Sequence, residues 1–390
     1  MRILIVPDKF KGALSAREVA DNIAAGLREV LPEAEIDIMP MADGGEGTAE
    51  VICNALGGYW SKCKAHDPLG REIEARYGFI ENRKLAVMEM SEVAGMRRLL
   101  RDEYDVDLAS TFGVGEMILD AARNSAGKII IGLGGSATND GGFGMARAIG
   151  FRFFGRKQHR KLDRLKRSSL RENETELQGA VTELLNLAWL KEAKQLSLPK
   201  IVAAADVRNP LLGENGASRV FGPQKGATNE QVNILESALT RLADVVSQQF
   251  GFDYRDEPGA GAAGGLGFGL MSFCGAKIRP GFDVVAESIG LKSKLEAVDL
   301  VITGEGSLDR QTLEGKTAAG VAWLARKIGK RVYAMVGRAR EDREVRELFD
   351  GVYQNARVGM SEKENIARAA ELLRQNGSEL AKTLKKASST

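Results

Sequence analysis

Residues 128–144 read KIIIGLGGSATNDGGFG, an apolar β-branched run that passes without a spacer into a glycine-dense turn. A short run of this kind bounded by glycine is a buried strand candidate, so it commits this part of the chain to a sheet interior. Gly132, Gly134 and Gly135 let backbone N–H groups approach an anion without interference from a Cβ. A helix starting near residues 139–145 would add its positive end to that attraction. Ser136 and Thr138 offer further hydrogen bonds, and Asp140 offers a ligand for a divalent cation. The bland alternative is a tight strand-to-helix turn with no ligand. Gly132-Leu133-Gly134-Gly135-Ser136-Ala137 also fits a loose dinucleotide fingerprint, but no acidic residue stands about 20 positions on, and the turn lacks the Gly-Lys-Ser/Thr ending of a P-loop.

Both ends of the chain alternate strands with helices. Residues 2–6 read as a buried strand, and Val19, Ile23, Leu27 and Val30 then recur at helical spacing behind a Ser15/Glu18 capping box, before a second strand at 36–39. Such a unit calls for a parallel pair with a right-handed crossover. Towards the other end come a strand at 297–303, a helix at 315–328, a strand at 331–336, a short helix at 343–349, a strand at 351–358 and a last helix at 362–373. The middle is less regular, with strands at 85–90, 129–132 and 200–205 and helices at 111–126 and 229–250. The expected class is α/β with two unlike domains. One is an open flavodoxin-like or Rossmann-like parallel-sheet domain built from residues 1–60 and 279–377, and the other a mixed α/β domain, 61–278, inserted into it. Residues 378–390 are expected to fray as a Lys- and Ser-rich tail.

A chain of 390 residues exceeds one ordinary core, in keeping with two domains. Its net charge of +2 is too balanced for nucleic acid or an anionic membrane to be the main partner. Residues 156–171 are the exception, a basic surface insertion with eight Lys or Arg against one Asp. Three cysteines match no zinc or disulfide framework, so a reducing cytoplasm is the expected compartment. His66 and His159 are the only histidines, which nearly excludes a histidine metal site. No run of about 18 apolar residues occurs, so no membrane span is expected. The oligomeric state stays open, a homo-oligomer included.

Five loops share one composition, with glycine, a carboxylate or amide, and a hydroxyl or cation. They are residues 7–12 (PDKFKG), 42–48 (ADGGEGT), 134–142, 221–227 (FGPQKGA) and 303–309 (TGEGSLD). Several follow predicted strands, at the edge where open α/β sheets collect ligands. The chemistry that wants this set is phosphoryl transfer, in which cations stabilise the transferring group and a carboxylate orients the hydroxyl or takes its proton. Lys9, Lys11 and Lys225 are the candidate cations, and Asp8, Asp43, Asp140, Asp206, Glu305 and Asp309 the candidate carboxylates. For each, a solvated turn residue or helix cap is the competing reading. The uncharged run 258–267 (PGAGAAGGLG) reads as close helix packing or close approach to a ligand, and Arg208 suits a small carboxylate.

PDKFKGALSA, ADGGEGT, GLGGSATNDGG, ADVRNPLLGENGASRVFGPQKGA, PGAGAAGGLG and VITGEGSLD, in this order between Met1 and about Gly337, resemble the bacterial glycerate kinase family. The resemblance implies transfer of the γ-phosphoryl group of ATP to D-glycerate with Mg²⁺, 2-phosphoglycerate being the product and 3-phosphoglycerate the alternative, in a cleft between two unlike α/β domains. Residue roles follow from loop chemistry. Lys9, Lys225, Asp8 and Asp206 are assigned to catalysis, with Asp206 facing the glycerate hydroxyl. Gly134, Gly135, Ser136, Thr138, Asn139, Gly304, Glu305 and Gly306 are assigned to ATP, Lys11 and Arg208 to substrate, and Asp43, Asp140 and Asp309 to metal. The basic insertion departs from the family, which runs there through a short polar turn. Competing readings are an NAD-dependent hydroxy-acid oxidoreductase and a non-catalytic ligand sensor that docks through the insertion.

Overall fold

The computed structural model describes residues 1–156, 174–193, 197–314, 316–340 and 342–387. The expected basic insertion, apart from Arg156, lies outside the described residues. The chain divides into two compact units, Met1–Leu56 with Pro280–Thr390, and Gly57–Arg279.

The first unit is built on five parallel strands. Arg2–Pro7 lies between Glu35–Ile38 and Leu300–Leu308, followed outward by Arg331–Ala339 and Gly351–Gln354. Ile3, Leu4, Ile5 and Val6 are fully buried, as a strand covered on both faces requires. In chain order the spatial sequence is 2-1-3-4-5, the flavodoxin arrangement, whose reversal of direction falls between Arg2–Pro7 and Leu300–Leu308. Ligands of such sheets sit beyond the carboxyl ends of the strands at that reversal.

Helix Ala16–Val30 opens with the expected capping box, Glu18 N donating to Ser15 Oγ at 3.3 Å and Ser15 N to the Glu18 carboxylate at 2.8 Å. It packs against helix Ala369–Ala387, where Leu373, Leu380, Ala381 and Leu384 join Val19, Ile23 and Leu27 in one core. The expected fraying from residue 378 is therefore corrected: apolar residues at helical spacing hidden among lysines keep this segment helical. The two helices approach so closely at Gly26 that a Cβ there would lie 2.0 Å from the Arg374 carbonyl oxygen.

The second unit holds a six-stranded mixed sheet in the order Lys277–Pro280, Lys200–Ala205, Lys128–Gly132, Leu85–Glu89, Glu72–Ile80, Tyr59–His66. Lys200–Ala205, Lys128–Gly132 and Leu85–Glu89 run parallel, and the last two strands add antiparallel. That antiparallel pair is absent from the sequence reading because charged residues alternate through KCKAH and EIEARY on its exposed side. A three-stranded antiparallel sheet, Glu174–Glu176, Arg152–Arg156 and Leu187–Lys191, completes the unit's strands among the described residues. The expected α/β class, with one parallel and one mixed sheet, is what the structure has. No described helix is long and apolar enough to cross a membrane.

Gly26→Ala pushes a methyl group into an immovable backbone oxygen, so it is expected to cost about 2 kcal/mol of the first unit's stability. Urea denaturation of the variant against the parent measures this.

Candidate active site

The central strand of the first unit ends at Pro7, in register with Gly304 of its neighbour, so Asp8 and Glu305 emerge side by side at the sheet edge. Asp8 N donates to the Gly304 carbonyl at 2.8 Å, which pins the two strand ends together. A crevice of about 510 Å³ opens there, lined by Asp8, Lys9, Lys11, Asp43, Glu305, Gly306, Lys316, Arg338 and Arg340 among others. Six of the residues singled out from the sequence thus share one crevice, within one unit.

Both buried carboxyls are strained electrostatically. Burial, and then the charge of Asp43, push Asp8 up to about 7, against hydrogen bonds from Thr317 Oγ1 at 2.7 Å and Lys9 N at 2.6 Å. Burial likewise pushes Glu305 up to about 7, with Asp8 and Asp309 adding to the rise, while Thr312 Oγ1, at 2.8 Å, and the Lys316 charge oppose it. Lys9 is half-buried, its Nζ donating to the Glu46 carbonyl at 2.6 Å, and Lys11 is exposed. Asp43 accepts from Gly45 N at 3.1 Å. Asp309 is not among the residues lining the crevice; its backbone N–H bonds Thr312 Oγ1 at 3.2 Å and its charge acts on Glu305.

The sequence reading missed Lys316, Thr317, Arg338 and Arg340. Gly315-Lys316-Thr317 directly before helix Thr317–Lys327 was a signal, since Gly-Lys-Thr at a helix start is a phosphate-handling pattern. Arg338 and Arg340 carry no local signal. They reach the crevice because strand Arg331–Ala339, which holds Arg338 and is followed by Arg340, pairs with Leu300–Leu308.

In the second unit the glycine turn after Lys128–Gly132 is a saturated knot. The expected helix begins at Phe143, within 139–145, and spans six residues, with the Gly144 and Met145 amides already taken by Asp140 and Thr111. Asp140 is fully buried and takes the N–H groups of Thr111, Gly142 and Gly144 at 2.9–3.0 Å with the Thr111 hydroxyl at 2.8 Å. Its assignment to metal is therefore corrected: its oxygens already serve the protein. The amides of Ala137, Thr138 and Gly141 bond Ala94 O, Ser136 Oγ and Gly264 O. Gly264 is packed so tightly that a Cβ would lie 1.9 Å from Thr138 O, so close packing is the use of the 258–267 run. Because no helix opens at Ser136, the dinucleotide fingerprint does not form.

Lys225 lies inside this knot, donating to Thr138 O at 2.5 Å and Ser136 Oγ at 3.4 Å. Burial pushes it down to about 7, against the attraction of Asp140. It ties the turn rather than facing solvent. Asn139 is buried, with Nδ2 on Ser218 Oγ at 2.9 Å and no partner for Oδ1 among the described residues. Gly134 and Gly135 stay half-exposed at the sheet edge. Asp206 and Arg208 follow the adjacent strand and are exposed.

A carboxyl whose pKa rises on folding lowers stability as pH climbs from its unfolded to its folded value. Glu305→Gln, which keeps an acceptor for Thr312, is accordingly expected to stabilise the protein by about 2 kcal/mol at pH 8 and by nearly nothing at pH 4. Thermal melts across that range measure it.

The chain matches the family model described as "Glycerate kinase family" over residues 3–385. It is 40% identical over 338 residues to a glycerate kinase of Halalkalibacterium halodurans, covering 86% of this chain and 85% of that one. It is 39% identical over 343 residues to the glycerate 2-kinase of Escherichia coli, covering 88% and 86%. A crystal structure described as a glycerate kinase 2 from Salmonella typhimurium LT2 superposes with a TM-score of 0.85 at 37% identity over the whole of both chains. The chain belongs to the glycerate kinase family, a family of phosphotransferases.

Proposed function

We propose that the chain transfers the γ-phosphoryl group of ATP to the C2 hydroxyl of D-glycerate, yielding 2-phosphoglycerate and ADP, with Mg²⁺. The observation that carries the reading is the crevice at the strand reversal of a glycerate kinase family member, where cations face two carboxyls tuned to about 7. The name of the Escherichia coli relative supports carbon 2 as the acceptor position.

The hydroxyl oxygen attacks the γ-phosphorus. An O–P bond forms, the bond to the β,γ-bridging oxygen breaks, and ADP leaves with that electron pair. Lys9, Lys11, Lys316, Arg338 and Arg340 stabilise charge on the phosphate oxygens. The proton acceptor is assigned to Glu305, buried and pushed up to about 7, with the exposed Asp206 of the second unit as the alternative assignment. The tuned pKa favours Glu305. Arg208 is assigned to the glycerate carboxylate.

Asp8 and Asp43 fit a hard cation. The Asp43 charge raises the cost of ionising Asp8, which a bound divalent ion would relieve, and Mg²⁺ needs only one or two carboxylates besides phosphate and water. Bound Mg²⁺ would supply charge neutralisation on the phosphates.

A coupled ADP-release assay tests the assignment. Lys9→Ala and Glu305→Gln are expected to lower kcat by about 100-fold or more with unchanged melting behaviour or, for Glu305→Gln, a higher melting point. An Asp206→Asn loss larger than that of Glu305→Gln would move the proton acceptor to the second unit.

A further inference from the structure

A second cavity in the first unit, of about 770 Å³, adjoins the crevice. It lies along the same sheet edge, beyond strand Glu35–Ile38 and beside the start of helix Ala16–Val30. Ile38, Met39, Met41, Val51 and Ile289 form its apolar walls, and Asn54, Arg17, Lys294, Glu46 and Glu50 are polar and charged residues of its lining beyond Asp8 and Lys9. It shares only Asp8 and Lys9 with the crevice, so the two meet at those residues.

Three observations restrict the occupant. The volume falls within the range of about 300–1,000 Å³ usual for sites that enclose a drug-sized ligand, and a three-carbon acid would leave most of it empty. At the neighbouring helix start the Ser15 and Glu18 amides are already taken by the capping box, which leaves fewer donors there for a phosphate. The cations for phosphate, Lys11, Lys316, Arg338 and Arg340, line the crevice and not this cavity. Apolar walls with two cations balanced by two carboxylates suit a largely apolar group that carries polar edges, joined covalently to phosphates that reach the crevice at Lys9.

We infer that this cavity binds the nucleoside part of ATP, its base between the methionine and valine side chains, with the phosphates passing Lys9 into the crevice. The inference rests on ATP being the phosphoryl donor. Methionine suits the role, since its polarisable sulfur packs well against aromatic rings.

Photolabelling of the wild-type protein with 2-azido-ATP tests the site without requiring glycerate turnover. The label is expected on the tryptic peptide 29–62, which has no internal Lys or Arg before its end and carries Ile38, Met39, Met41, Val51 and Asn54. Excess ADP should protect it. Filling the cavity by Ala55→Trp should raise KM for ATP about tenfold or more while leaving KM for glycerate within about twofold. If that variant does not fold, the labelling alone decides. Label confined to other peptides in a protein that phosphorylates glycerate overturns the inference alone, as does an unchanged KM for ATP in folded Ala55→Trp. An absence of any protected label overturns ATP as the donor together with the inference.

Discussion

The crevice of the first unit depends on burying two carboxyls at one strand edge. The pairing of Pro7 with Gly304 leaves Asp8 and Glu305 no freedom to part, since their positions follow from a parallel register held by buried Ile3, Ile5, Leu300 and Ile302. Hydrogen bonds from Thr317 and Thr312 offset only part of the desolvation, so both acids are raised to about 7. The fold thus stores an electrostatic cost at this edge. A cation or a bound phosphoester with its metal would release it, which ties ligand affinity to the stability of the first unit.

The second unit makes the opposite use of buried charge. Asp140 receives four protein donors and Lys225 donates to the turn beside it. Buried polar groups satisfied in this way rigidify a turn, and here they leave Gly134 and Gly135 as its half-exposed part. Lys225 therefore acts on the turn's shape, a role that loop composition alone could not separate from phosphate contact.

The order of strands and helices at both ends was legible because buried parallel strands are apolar throughout and the first helix carries its own cap. The antiparallel strands of the second unit were not, since a half-exposed strand rich in Lys and Glu lacks an apolar run. The same camouflage hid helix Ala369–Ala387 beyond residue 377. Asp8, Lys9, Lys11, Asp43, Glu305 and Gly306 were legible as a set because each stands in a glycine-rich stretch after an apolar run or close to one, although the strand expected to end at 303 continues through Glu305 and Gly306 to Leu308. Asp140 looked the same on paper, yet whether a carboxylate after Asn139 faces solvent or caps its own helix is decided by packing around Thr111, 29 residues away. Arg338 and Arg340 become part of the site only once the strand order is known.

The most direct measurement is phosphorus NMR of the purified protein incubated with Mg·ATP and D-glycerate. The account predicts that ADP and 2-phosphoglycerate appear in equal amounts, and only when glycerate is present. Failure to form ADP in a glycerate-dependent manner would contradict it.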